Sequence, residues 1–169
     1  MAFTYSKLAE TTVGAGGTSA ITFNNIPQNY TDLRIDFSIR TNKSAVNENV
    51  FLSINGSTSN FSARWMFGDG AGTGNSTTAR IAGFGNGNTA TANTFGSSSI
   101  YIPNYTSGNN KSYSSDAALE TNATTAYVGL IAGLWSNVTA ITSVTLTPET
   151  GPTFLQYSTA TLYGIRVEL

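Results

Sequence analysis

The sequence predicts an all-β protein, and three observations carry that prediction. Apolar and polar residues alternate with period two in several segments. Turn-forming clusters recur every 10–15 residues or so, and no stretch carries a capped apolar stripe of period 3.6. Thr (26), Ser (19), Asn (17) and Gly (17) make up nearly half of the 169 residues. Apolar residues still reach 40% and aromatics 11%, too many for a disordered chain.

Residues 3–13 and 19–23 read as the first two strands, separated by Gly14-Ala-Gly-Gly17. In residues 30–41, Leu33, Ile35, Phe37 and Ile39 alternate with Arg34, Asp36, Ser38 and Arg40. One face is therefore buried and the other wet, and the same-face neighbours Arg34 and Asp36 are placed to pair. Residues 49–54 form a further strand closed by Asn55-Gly56, a dipeptide that favours a type I′ turn. The return strand is residues 61–67, which makes a hairpin. Residues 68–74 carry Gly at every second position and read as a long loop. Further strands are expected at 78–84, 94–102, 111–119, 126–135, 141–147 and 159–167. Residues 115–122 alone allow one helical turn. About ten short strands around one core describe an all-β sandwich or barrel, and a single β-sandwich domain over residues 1–169 is the simplest reading. Residues 1–17 are a candidate extended N-terminal arm.

Composition excludes whole classes of chemistry. The chain has no His and no Cys, so no Ser-His-Asp triad, Cys nucleophile, His- or Cys-based zinc site or disulfide is available. A net charge of −1 from only 10% charged residues argues against a nucleic-acid partner. No basic stretch followed by an apolar one opens the chain, and the longest apolar run, residues 126–135, is about half of what a spanning helix needs. The expectation is therefore no membrane partner and synthesis in a cytoplasm. Nine Asn-x-Ser/Thr triplets follow from the abundance of those residues.

The titratable residues are few and form no recognisable signature. Asp69, between Gly68 and Gly70, is the best lone acid, and Asp beside Gly is first of all a turn former. Asp69 and Asn75 lack the ligand spacing of a calcium loop. Gly83-Phe-Gly-Asn-Gly87 has no helix after it and reads as a loop, not a phosphate cradle. No catalytic residue, metal or cofactor is assigned. Trp135 is placed to plug one end of the core. Trp65, beside the Gly-rich loop, is a core residue or an exposed anchor for a partner. Tyr30, Tyr101, Tyr105, Tyr127 and Tyr163 are expected near strand ends, apolar ring inward and hydroxyl wet.

The order of short motifs carries a resemblance. Phe-Asn-Asn-Ile-Pro (23–27), Tyr-Thr-Asp-Leu-Arg-Ile (30–35) and Ser-Ile-Arg (38–40) precede Leu-Ser-Ile-Asn-Gly (52–56) and Asn-Phe-Ser (60–62). Trp135, Ile-Thr-Ser-Val-Thr-Leu (141–146) and Ser-Thr-Ala-Thr-Leu-Tyr-Gly-Ile (158–165) follow. Over nearly its whole length the chain resembles small β-sandwich virion proteins of tailed bacteriophages, marine and cyanobacterial phages above all. That resemblance implies a jelly-roll domain without enzymatic activity. It further implies a capsid decoration (cement) protein on the outer capsid surface of the virion. Such a protein is often a homotrimer that clamps neighbouring major capsid protein subunits. The competing role is a tail- or head-fibre tip, or a carbohydrate-binding module, touching a host-surface glycan. Either role needs adhesive segments. The candidates are residues 1–17 with Phe3 and Tyr5, residues 68–75 beside Trp65, Phe67 and Asp69, residues 83–93 with Phe84, and Tyr105.

Overall fold

The computed structural model describes residues 2–122 and 125–168, with only the backbone described for Ala2, Phe3, Val167 and Glu168. Among them run twelve strands: β1 Ala2–Thr12, β2 Ile21–Phe23, β3 Asp32–Ile39, β4 Asn47–Ile54, β5 Phe61–Gly68, β6 Thr73–Ser76, β7 Ile81–Asn86, β8 Gly96–Ile102, β9 Lys111–Leu119, β10 Tyr127–Trp135, β11 Val144–Pro148 and β12 Thr159–Glu168. They form two sheets, ordered β1-β12-β3-β8-β9-β10-β5-β6 and β2-β11-β4-β7, and the strand ladders are antiparallel.

The order β1-β12-β3-β8 opposite β2-β11-β4-β7 is that of a jelly roll, in which the chain passes from one sheet to the other between successive strands except from β4 to β7, which are neighbours in the smaller sheet. The four other strands come from two insertions. One places β5 and β6 between β4 and β7, and the other places β9 and β10 between β8 and β11. Together they continue the first sheet as an annex, β9-β10-β5-β6. The fold is thus the all-β jelly-roll sandwich anticipated, widened on one side.

The core follows from the alternation. Leu33, Ile35, Phe37 and Ile39 of β3 point inward and meet Leu52 and Leu146 in one buried cluster. Trp135 is buried at the end of β10, stacked on Phe61 at 6.2 Å between ring centroids. On the outer face of β3, Arg34 Nε donates to Asp36 Oδ1 at 2.8 Å, and both side chains are about two-fifths exposed, at 40% and 41%. Such a solvated pair contributes little. Asp36→Asn is accordingly expected to change unfolding free energy by less than about 1 kcal/mol in denaturant titration.

Five expectations are corrected. In the candidate N-terminal arm, residues 2–12 form β1, which is built into the sheet edge by pairing with β12. Asn55 and Gly56 do take positive φ (51° and 72°), and Ile54 and Ser57 close the tight turn, yet β4 and β5 are not a hairpin. Both edges of β4 are already taken, by β11 and β7, so the chain crosses to the other sheet. The glycine-rich loop contains β6, which pairs with β5. In place of the helical turn allowed at 115–122, residues 115–119 are the end of β9, where inward Tyr113, Ser115, Ala117 and Leu119 alternate with exposed partners. The strand expected at 78–84 does not stop at the expected loop of residues 83–87: β7 runs on to Asn86 and is buried along its whole length.

Arg40 is a sixth departure. It continues the wet register of Arg34 and Asp36 but is buried. Its guanidinium donates to the carbonyls of Asn88, Ala90, Thr91 and Thr94 at 2.8–3.3 Å and so anchors that loop. Burial pulls its pKa below the ordinary guanidinium value. Lys111 plays the same part at the sandwich end, donating to the carbonyls of Ser107, Asn109 and Val138.

Candidate functional site

Strands hold alternate side chains on opposite faces, so pairing registers define rows across a sheet. One row on the outer face of the large sheet runs Thr161, Asp36, Ser99, Asp116, Leu130, Met66 and Asn75. It passes from a polar half over β12, β3, β8 and β9 to an apolar half over β10 and β5.

The apolar half is set by β10. Tyr127, Gly129, Ile131, Gly133 and Trp135 point inward, while Val128, Leu130, Ala132 and Leu134 point outward. Met66 lies opposite Leu130. Met66, Leu130 and Val128 are 63%, 61% and 60% exposed. With Thr73 and Asn75 of β6 they line a shallow groove of about 510 Å³. Outward apolar side chains on rigid adjacent strands can bind a partner with little loss of conformational entropy.

The polar half is a second open groove, of about 400 Å³, lined by Arg34, Asp36, Ser97, Ser99, Asp116 and Thr161 among others. Tyr101 is not part of that lining but lies opposite Arg34 in the β3–β8 register, 39% exposed. Its hydroxyl donates to Asp32 Oδ2 at 2.8 Å, while Asn104 N–H donates to the other carboxylate oxygen at 2.8 Å. Burial first, and the Asp32 carboxylate second, push the Tyr101 phenol up to about 12, so it stays neutral at physiological pH. Tyr5 of β1 is 54% exposed and lies against the Arg34 guanidinium.

The anticipated contact residues fare unequally. Tyr5 is on the surface, and the Phe3 side chain lies outside the described residues. Phe84 and Tyr105 are buried, which removes them from any contact surface. Phe84 is sealed within β7, and the Tyr105 hydroxyl donates to the Pro27 carbonyl. Trp65 and Phe67 are half-buried on the inner face of β5, with ring centroids 4.7 Å apart. Trp65 meets Phe84 edge-on at 5.4 Å, so this aromatic group packs the underside of the annex. The outward residues Met66, Val128 and Leu130 were missed by the sequence reading. Their signal is that residues 126–135 are apolar on both strand faces.

Asp69 shapes the loop between β5 and β6. Its Oδ1 accepts from Ala71 N–H at 3.0 Å and Gly72 N–H at 2.8 Å, and these bonds hold the carboxyl below its ordinary range. A carboxyl with a depressed folded-state pKa stabilises the loop above the unfolded value and loses that contribution as pH falls through the folded one. Amide exchange at Ala71 and Gly72 is therefore expected to quicken in Asp69→Ala at neutral pH. In the native chain the same change, relative to intrinsic rates, is expected only below pH 3.8. Hydrogen exchange read by NMR checks both.

No protein-family model matches the chain, and no curated protein does. Distantly similar solved structures include two carbohydrate-binding modules. The CBM40 module of the Ruminococcus gnavus IT-sialidase, bound to alpha2,3 sialyllactose, is 14% identical, with a TM-score of 0.38 over 92% of this chain and 91% of that one. The CBM2 module of the evolved Dit of Lactobacillus casei BL23 phage J-1 is 9% identical, with a TM-score of 0.23 over 89% of this chain and 70% of that one. Likenesses this low carry no argument about what the present chain binds.

Proposed function

We propose that the chain is a non-enzymatic structural protein of a tailed-phage virion. In this reading it is a capsid decoration protein that docks its annex face on the outer surface of the major capsid protein as a homotrimer. The observation that carries the reading is the apolar face of Met66, Val128 and Leu130, left outward on a sandwich whose core is already filled. An apolar centre rimmed by hydroxyls and amides is the anatomy of a protein interface. Three copies held together would multiply a modest single-site affinity through avidity. The resemblance in motif order to phage virion proteins supplies the setting. The test is to mix purified protein with capsids stripped of decoration and to image the product by cryo-electron microscopy. Density for the protein on the outer capsid surface is expected, and its absence from the head overturns the reading.

A second reading, a fibre tip or host-surface carbohydrate-binding module, is favoured by a separate observation. The polar groove on the same sheet presents hydroxyls, two carboxylates and a guanidinium beside an exposed tyrosine. Binding of the isolated protein to host cells tests it, and no binding counts it out.

A further inference from the structure

We propose that the polar groove is a binding site for a short neutral glycan, gripped by Arg34, Asp36, Ser99, Asp116 and Thr161, with the exposed Tyr101 ring beside Arg34 on the neighbouring strand. The inference deepens the second reading above and is independent of capsid docking, which uses other residues.

The argument starts from what a sugar asks of a protein. Each hydroxyl both donates and accepts, so its site needs carboxylate acceptors and cationic or hydroxyl donors side by side. Here the row Thr161–Asp36–Ser99–Asp116 supplies hydroxyl, carboxylate, hydroxyl and carboxylate on four neighbouring strands. Strand spacing makes that row about 14 Å long, room for a short oligosaccharide rather than a single ring. Arg34 is held by Asp36 at 2.8 Å, so the charged pair is oriented before a ligand arrives. Sugars also carry an apolar C–H face, which suits an aromatic ring. Tyr101 offers one, and its bond to Asp32 fixes the ring in place. All of these residues stand on strands, which fix their positions more tightly than loops do.

Charge selects the class of glycan. Two carboxylates, Asp36 and Asp116, face the groove against one guanidinium, Arg34, which Asp36 already engages. The site therefore disfavours sialylated, uronate or sulfated chains and suits neutral ones.

The experiment is NMR titration of the labelled full chain with gluco-, galacto- and manno-configured neutral trisaccharides, and with sialyllactose as the acidic probe. At least one neutral sugar is expected to bind with a Kd of roughly 1 μM to 1 mM and to shift the amides of β3 and β8. Ser99→Trp, which fills the groove from an outward position, is expected to weaken that binding by about tenfold or more. Tyr101→Ala is expected to weaken it as well, while Val138→Ser, at an exposed position outside both grooves, is expected to leave it unchanged. The inference is overturned if no neutral sugar shifts these amides at millimolar concentration, if Ser99→Trp binds as well as the native chain, or if sialyllactose binds more tightly. Attachment to host cells that persists after such a failure would leave the fibre-tip reading standing and remove only this groove.

Discussion

Gly133→Val is expected to lower the unfolding free energy by about 3 kcal/mol and the melting temperature by about 6–12 °C. A Cβ on Gly133 would lie 1.9 Å from the Tyr113 ring of the neighbouring strand. That ring covers the glycine and carries its hydroxyl across to the Ile81 carbonyl of the opposite sheet, at 2.9 Å. A valine must push the ring aside. Overpacking alone costs about 1–3 kcal/mol, and the lost inter-sheet hydrogen bond adds about 1 kcal/mol. Thermal and denaturant unfolding measure the total. A double-mutant cycle identifies the cause, because in a Tyr113→Ala background the valine finds open space and its cost should largely vanish. Additive costs would show that the ring is not the obstacle.

Leu130→Asp combined with Met66→Asp is expected to reduce affinity for stripped capsids by about 30-fold or more. Both side chains are more than three-fifths exposed, at 61% and 63%, and they pair across β10 and β5 at the centre of the apolar face. An interface that closed over them would bury two carboxylates without partners. Each single substitution is expected to change stability by no more than about 1 kcal/mol, because neither side chain packs in the core. In the double variant the new carboxylates stand opposite each other and beside Asp116, which adds about 1 kcal/mol to the cost. Asp36→Asn, on the polar half, is expected to leave capsid binding unchanged. Quantitative co-sedimentation checks the set, and native affinity in the double variant would remove this face from the docking surface.

Much of the fold was legible because its signals are local. Alternation over residues 33–39 predicts β3, and it also places Arg34 beside Asp36, where the pair is found. Asn55-Gly56 predicts its turn correctly, since both residues accept positive φ. What the dipeptide cannot specify is the partner of the next strand. That depends on which edges of β4 are still open, and distant β11 and β7 occupy both. The helix-forming Ala-Ala-Leu-Glu of residues 117–120 runs at the end of β9, and pairing with β10 and β8 outweighs its local preference. β6 was hidden by its glycines. Gly74 leaves room for the Phe67 ring, whose tip lies 2.6 Å from where a Cβ would stand.

The site was less legible than the fold. Aromatic residues near loops looked adhesive, yet Phe84 and Tyr105 are buried and Trp65 packs against Phe84. An aromatic side chain buries so much apolar area that the core takes it wherever the backbone allows. Met66, Val128 and Leu130 looked like ordinary strand residues and form the exposed face.

By itself the sequence determined the class: an all-β chain, without the imidazoles or thiols of the commonest active sites, in which Thr and Ser cover strand faces while Gly and Asn build turns. Period-two alternation and turn chemistry act within a few residues, so they can be read along the chain. Tertiary structure alone decided that two inserted hairpins extend one sheet of the jelly roll. It also decided which apolar face of β10 remains uncovered and that Arg40, in register with solvated Arg34, is enclosed by a loop some fifty residues away. Whether a face is covered depends on a second layer assembled from distant segments, and no local period encodes where that layer stops.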